Sequence, residues 1–151
     1  MKNSELTLSL VLTTVASPIF STSVFANAYE AEISQRQTAF SSIEDDLKSA
    51  SRLLDGKSTD WEALTAVSRE LIEHGNTLNE SFPEGSQKGS KAKKEVWTSP
   101  SKFNTLLAQM DAGFEALYNA SAQQDPKQAS AGIKQAEKTC KSCHRSYRSR
   151  W

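Results

Sequence analysis

Apolar side chains recur along most of this chain at spacings of three and four, the period that gathers them on one side of an α-helix. Ile33, Phe40, Ile43, Leu47, Ala50 and Leu54 form the first such stripe, and Glu44, Asp45 and Lys48 fall outside it. The pattern stops near Asp55-Gly56. A second stripe opens with Thr59 as N-cap and Glu62 three residues later, a capping-box spacing, and continues through Trp61, Leu64, Val67, Leu71 and Leu78, with Gly75 as a weak point. The third takes Ser99 as cap and Pro100 as its first helical residue, then runs Phe103, Leu106, Leu107, Met110, Phe114 and Leu117. The fourth repeats that device with Asp125 and Pro126 and carries Ala129, Ile133, Ala136, Cys140, Cys143, His144 and Tyr147. Between the second and third stripes, Asn79 to Trp97 is polar and holds Pro83, Gly85, Gly89 and the lysines Lys88, Lys91, Lys93 and Lys94, which reads as a long loop. No stretch alternates with the period of a strand. The pattern predicts an all-α fold, an antiparallel four-helix bundle with a long loop between the second and third helices.

The first residues belong to none of these stripes. Lys2 is followed by Leu6, Leu8, Leu10, Val11 and Leu12, then by small residues ending in Ala26-Asn27-Ala28. This reads as a secretory signal peptide cut after Ala28, with residues 1–28 removed and residues 29–151 left as one domain. Ser9, Thr13 and Thr14 interrupt the apolar run, which argues against a membrane anchor, and no other run is long enough to span a bilayer. Lys and Arg number 18 against 18 Asp and Glu. Such a balance gives no excess of cations to neutralise phosphates, so a general nucleic-acid role is not expected.

Export changes what the two cysteines are expected to do, because an oxidising compartment ordinarily pairs thiols. Cys140 and Cys143 lie three residues apart in a helical stretch, where a disulfide would close a very small loop and stabilise little. Cys140-Lys141-Ser142-Cys143-His144 is instead the C-x-x-C-H pattern of covalent c-type haem attachment. Helix positions three and four apart project from one side, so both thiols reach the vinyl groups of one porphyrin while His144 offers its imidazole to the iron. A redox-active C-x-x-C would sit at a helix start, where the dipole lowers a thiol pKa, and not in the last turns. A zinc site needs about four ligands, and the only other histidine is His74 on another helix.

Cys140-Lys-Ser-Cys143-His144-Arg-Ser-Tyr147-Arg148, close to the end of the chain after three other helices and an exported leader, resembles the class II cytochromes c, cytochrome c′ in particular. Arg36-Gln37-Thr38-Ala39-Phe40 is similar to the family's Arg-containing first-helix segment, and Glu95-Val96-Trp97 with Phe103 to the start of its third helix. The resemblance implies one covalently attached haem c within the bundle and His144 as the proximal iron ligand. It places Phe40 on the first helix over the opposite face, where low-spin electron carriers of the family have a Met. A phenyl ring has no lone pair for iron, so the implied centre is five-coordinate beneath an apolar lid. Arg36 joins the cofactor-binding candidates through the same segment. Arg148, one helical turn beyond His144, is placed near the exposed side of the proximal imidazole. Read as ordinary residues, Phe40 is a core aromatic and Arg148 a cation at a helix end.

Met110 among Leu106, Leu107 and Phe114 reads as packing and not as a ligand, and His74 as a solvated residue near the end of its helix. The lysines from Lys88 to Lys94 read as a solvated loop, with an acidic redox partner or the haem propionates as functional alternatives. Asn79-Glu80-Ser81 and Asn119-Ala120-Ser121 match glycosylation sequons, a pattern without meaning in a bacterial periplasm. The expectation is therefore a periplasmic, high-spin c-type haemoprotein that binds nitric oxide and carbon monoxide. An apolar pocket without a hydrogen-bond donor gives little help to polar bound dioxygen, while less polar diatomics still bind if the lid moves. The alternative is a periplasmic electron-transfer cytochrome using the same haem. An enzyme is not expected, since the pocket offers no general acid or base. The resemblance also implies a homodimer through the first two helices.

Overall fold

The computed structural model describes residues 29–150; the leader expected at 1–28 lies outside the described residues. Four long helices form an antiparallel bundle, α1 (Glu30–Leu54), α2 (Trp61–Glu80), α4 (Pro100–Ala122) and α5 (Pro126–Tyr147), with a single-turn α3 (Glu95–Thr98) in the long connection. The bundle architecture is the one the apolar stripes predict. Among the described residues there is no strand, only an isolated antiparallel bridge between Ala92 and Arg148. Among the described residues no helix is long and apolar enough to cross a membrane.

The helix starts follow the sequence closely and depart from it at one cap. α2 is capped by Asp60 and not by Thr59, because the Asp60 carboxylate accepts the Ala63 amide at 3.0 Å. α5 begins as expected, with Asp125 accepting the amides of Lys127 and Gln128 ahead of Pro126. Ser99 occupies the cap position of α4 without a side-chain cap bond, and Pro100 contributes its preset φ. The core is built from the stripes, with Ile43 and Leu47 of α1, Leu64, Leu71 and Leu78 of α2, Met110, Phe114 and Leu117 of α4, and Ile133 and Ala136 of α5. Ser68 is fully buried where Val67, half-buried, was expected to point inward.

Two glycines set the α4–α5 spacing. A Cβ on Gly132 would lie 2.7 Å from the Leu117 backbone nitrogen, and one on Gly113 would lie 2.9 Å from that of Ala136. Backbone cannot yield as a side chain can, so the bare α-carbons let the two helices approach closely along the half of α5 that leads to the cysteines. Gly75, expected to weaken α2, is a buried residue of a continuous helix, and a Cβ there would run into the Asp111 carboxylate.

Candidate haem-binding site

The inward stripe of α5, Ala129, Gly132, Ile133, Ala136 and Thr139, ends where Cys140 and Cys143 begin. Both cysteines are free and half-buried. The Cys140 thiol lies 3.5 Å from the Ala136 carbonyl, one turn back on its own helix. Burial pushes both thiols up, that of Cys143 to about 11, with the neighbouring Cys140 adding to the rise. Protonated thiols in the last turns of a helix are the opposite of an activated C-x-x-C, whose sulfur must be a thiolate to attack a disulfide. His144 stands next on the helix with an exposed ring, yet enough chain crowds it for desolvation to head the causes that lower its pKa, followed by Arg148.

The field of Glu44 acts against that lowering, and Glu44 in turn feels His144 and Arg148. The α1 face carrying Glu44 therefore looks toward the end of α5. Phe40 lies one turn earlier on that face. It is 39% exposed, the one large hydrophobic side chain so placed among the described residues. The reading of Phe40 as a core aromatic on the α1 stripe is therefore corrected: Ala39, Ile43, Leu47 and Ala50 form the buried face, and Phe40, next to Ala39 in the chain, is turned out of it. From Phe40 a chain of edge-on rings crosses to α5: Phe82 at 6.3 Å between centroids, Phe103 a further 4.8 Å on, and Tyr147 at 5.2 Å from Phe103.

Arg36 is placed one turn before Phe40 and is 3% exposed. Its Nη1 donates to the Ser81 carbonyl at 3.0 Å and to Ser86 Oγ at 2.8 Å, and its Nη2 to the Ser86 carbonyl at 2.6 Å. The guanidinium also lies over the rings of Phe82 and Trp97, at 4.7 and 5.8 Å. Three of its donors are thus committed to the connection that follows α2.

Arg148 departs from its expected helical position. α5 ends at Tyr147, and Arg148 is extended, with φ −108 and ψ 130, in the bridge to Ala92. Lys93 N donates to the Tyr147 carbonyl at 2.9 Å and Ser149 N to that of Lys91 at 2.8 Å, while Lys93 Nζ reaches the Arg145 carbonyl at 3.2 Å. The lysine loop is thereby fastened to the end of the motif helix, with Lys88, Lys91 and Lys94 exposed.

Met110 is buried in the core at 4% exposure. His74 pairs its Nε2 with Asp46 at 3.5 Å rather than standing free in solvent. Among the described residues no group of three or more His, Cys, Asp and Glu side chains converges as a metal cage. Sequence patterning gives Phe82, Ser81 and Ser86 no site role; the one signal is the aromatic-proline pair Phe82-Pro83 directly after a helix in a largely polar stretch.

The profile of the family described as cytochrome C′ matches residues 31–148. The chain belongs to the cytochrome c′ family. Solved structures agree in fold: cytochrome c prime from Shewanella frigidimarina is 24% identical, with a TM-score of 0.72 over 80% of this chain and 95% of that one. A nitric oxide complex of a cytochrome c prime variant from Alcaligenes xylosoxidans is 20% identical, with a TM-score of 0.74 over 81% and 96%. A cytochrome c′ described as having an unusual ligand-controlled dimer dissociation is 17% identical, with a TM-score of 0.74 over 82% and 98%. No curated protein matches the chain. As a member of the cytochrome c′ family, the chain is a haem protein, and the donor set at the end of α5 suits a c-type haem: two thiols on one face, an adjacent exposed imidazole and a wall of aromatic rings.

Proposed function

We propose that this cytochrome c′ is a periplasmic haem c protein that binds nitric oxide, and carbon monoxide in the same way, at a five-coordinate iron. Cys140 and Cys143 would hold the porphyrin, each sulfur adding across a vinyl group as its thiol hydrogen passes to the second vinyl carbon, so the attachment needs no oxidant. His144 would supply the proximal imidazole. When bound, the haem supplies an iron with one open coordination position for a diatomic ligand.

The observation that carries this reading is the composition of the facing helix. The 25 residues of α1 contain no Met, Cys or His, and the large apolar side chain that it leaves exposed is the phenyl ring of Phe40. A side chain without a lone pair leaves the iron open. An apolar ring without a donor offers no hydrogen bond to the polar dioxygen adduct. Arg148, held extended beside the motif, would lie on the proximal side and lower the basicity of His144, the direction in which its charge already acts. Arg36 would act through the connection it anchors, with its remaining donor capacity turned toward a propionate. The molecule is a binding protein and not a catalyst of substrate turnover.

Replacing Phe40 with Met tests the placement of the lid. Phe40→Met supplies a thioether from the expected side and should convert the haem to a low-spin, six-coordinate form that takes up nitric oxide slowly. A Phe40→Met protein with an unchanged high-spin spectrum would remove Phe40 from the iron's open side.

The electron-transfer reading draws on the lysine loop. Lys88, Lys91 and Lys94 are exposed on a loop bonded to the last turn of the motif helix, a place from which cations would steer an acidic redox partner to the haem edge. It is the second reading because the same lysines also serve as an ordinary solvated loop.

A further inference from the structure

We propose that Phe82 is the abutment of a two-ring gate: clamped in place by Arg36 and Trp97, it fixes the Phe40 ring and so sets how fast a diatomic ligand gets in. This rests on the reading of Phe40 as the lid. An exposed aromatic on a helix ordinarily exchanges rotamers within nanoseconds and would make a poor barrier. The Phe40 ring meets Phe82 edge-on, at 6.3 Å and 64°.

Phe82 comes from a connection, the kind of segment that is usually mobile. Here, though half-buried, it is held through both its backbone and its ring. Its own carbonyl and that of Pro83 accept the Trp97 indole N–H, at 3.2 and 2.9 Å. The carbonyl before it, Ser81, and both oxygens of Ser86 accept Arg36. The Arg36 guanidinium covers the Phe82 ring at 4.7 Å, and Phe103 meets it edge-on at 4.8 Å. Arg36 and Phe40 are one turn apart on α1, so the clamp and the lid hang from the same helix. Burying a guanidinium on carbonyl and hydroxyl oxygens is costly. What that arrangement achieves is a rigid Phe82, and through it a restrained Phe40. Phe82 is a positioning residue, since it acts on the ligand path through another side chain.

The test is a double-mutant cycle on the haem-loaded, reduced protein, with carbon monoxide association followed by flash photolysis. Phe82→Leu and Phe82→Ala should raise the association rate by about tenfold while Phe40 is present, and should change nothing in the Phe40→Ala background. Phenylalanine-selective NMR of the ligand-free protein should show faster Phe40 ring motion in Phe82→Leu. A role confined to stability would lower the melting temperature and leave both readouts where they were, which would overturn the proposal. An equal acceleration in both backgrounds would also overturn it, because Phe82 would then act independently of Phe40. If Phe40→Ala alone fails to speed association, the lid itself is wrong, a result distinct from failure of the Phe82 arm.

Discussion

Asp111 shows how a single residue carries a cost through the whole fold. Its Oδ1 is buried without a hydrogen-bond partner, Gly75 packs against it, and Oδ2 accepts only Asn79 at 3.1 Å. Burial raises its pKa against the opposing effect of that one bond. The folded state therefore keeps a proton that the unfolded state has released, at pH values just above the ordinary carboxylate pKa. Its contribution to stability must fall as pH rises through that window and stay low at pH 7. Asp111→Asn removes the charge and keeps the shape, so its melting temperature should exceed the parent's at pH 7 and match it near pH 3; equal melting at both pH values would show that water satisfies the carboxylate. Arg36 makes a parallel point about legibility. Its position on the helix is plain in the sequence, but its acceptors stand 45 and 50 residues away in a stretch that reads only as polar. No local period points to a partner so distant. Phe40 is legible as an aromatic on a stripe, whereas its exposure depends on how α1 rotates against α5.

At the scale of elements, the four stripes and the Pro100 and Pro126 starts were readable because helical period and capping chemistry are local properties. The cap of α2 was misread by one position. Thr59 and Asp60 are both good caps, and the capping-box spacing to Glu62 favours the first, but the Asp60 carboxylate reaches Ala63 in space. The end of α5 was hidden for a related reason. Helical spacing carries Arg148 beyond His144, while the bridge to Ala92, a partner in another element, pulls it out into an extended conformation. The closeness of α4 and α5 gives the element-scale prediction. Gly132→Ala sets a methyl group 2.7 Å from the Leu117 nitrogen and 2.8 Å from the Gly113 carbonyl. Separating the helices to admit it should cost about 1–3 kcal/mol, as overpacking does, measurable by denaturant unfolding. No loss of stability would mean that the helices lie further apart than described.

Across the whole molecule, one bundle brings its chemistry to a single end, where α1, the long connection, α4 and α5 meet through Phe40, Phe82, Phe103 and Tyr147. The C-x-x-C-H motif made that end visible from sequence, since its spacing alone specifies two thiols and an imidazole on one helix. The homodimer through α1 and α2 that the family resemblance implies belongs to the same scale, and sedimentation equilibrium of the haem-loaded chain should give twice the monomer mass, with a monomer at all concentrations contradicting it. The most direct test of the central claim is the optical spectrum of the mature protein, oxidised and reduced, before and after nitric oxide. A five-coordinate iron beneath Phe40 predicts a high-spin spectrum that shifts on adding the gas. A low-spin, six-coordinate spectrum that the gas leaves unchanged would contradict it and make electron transfer the better account.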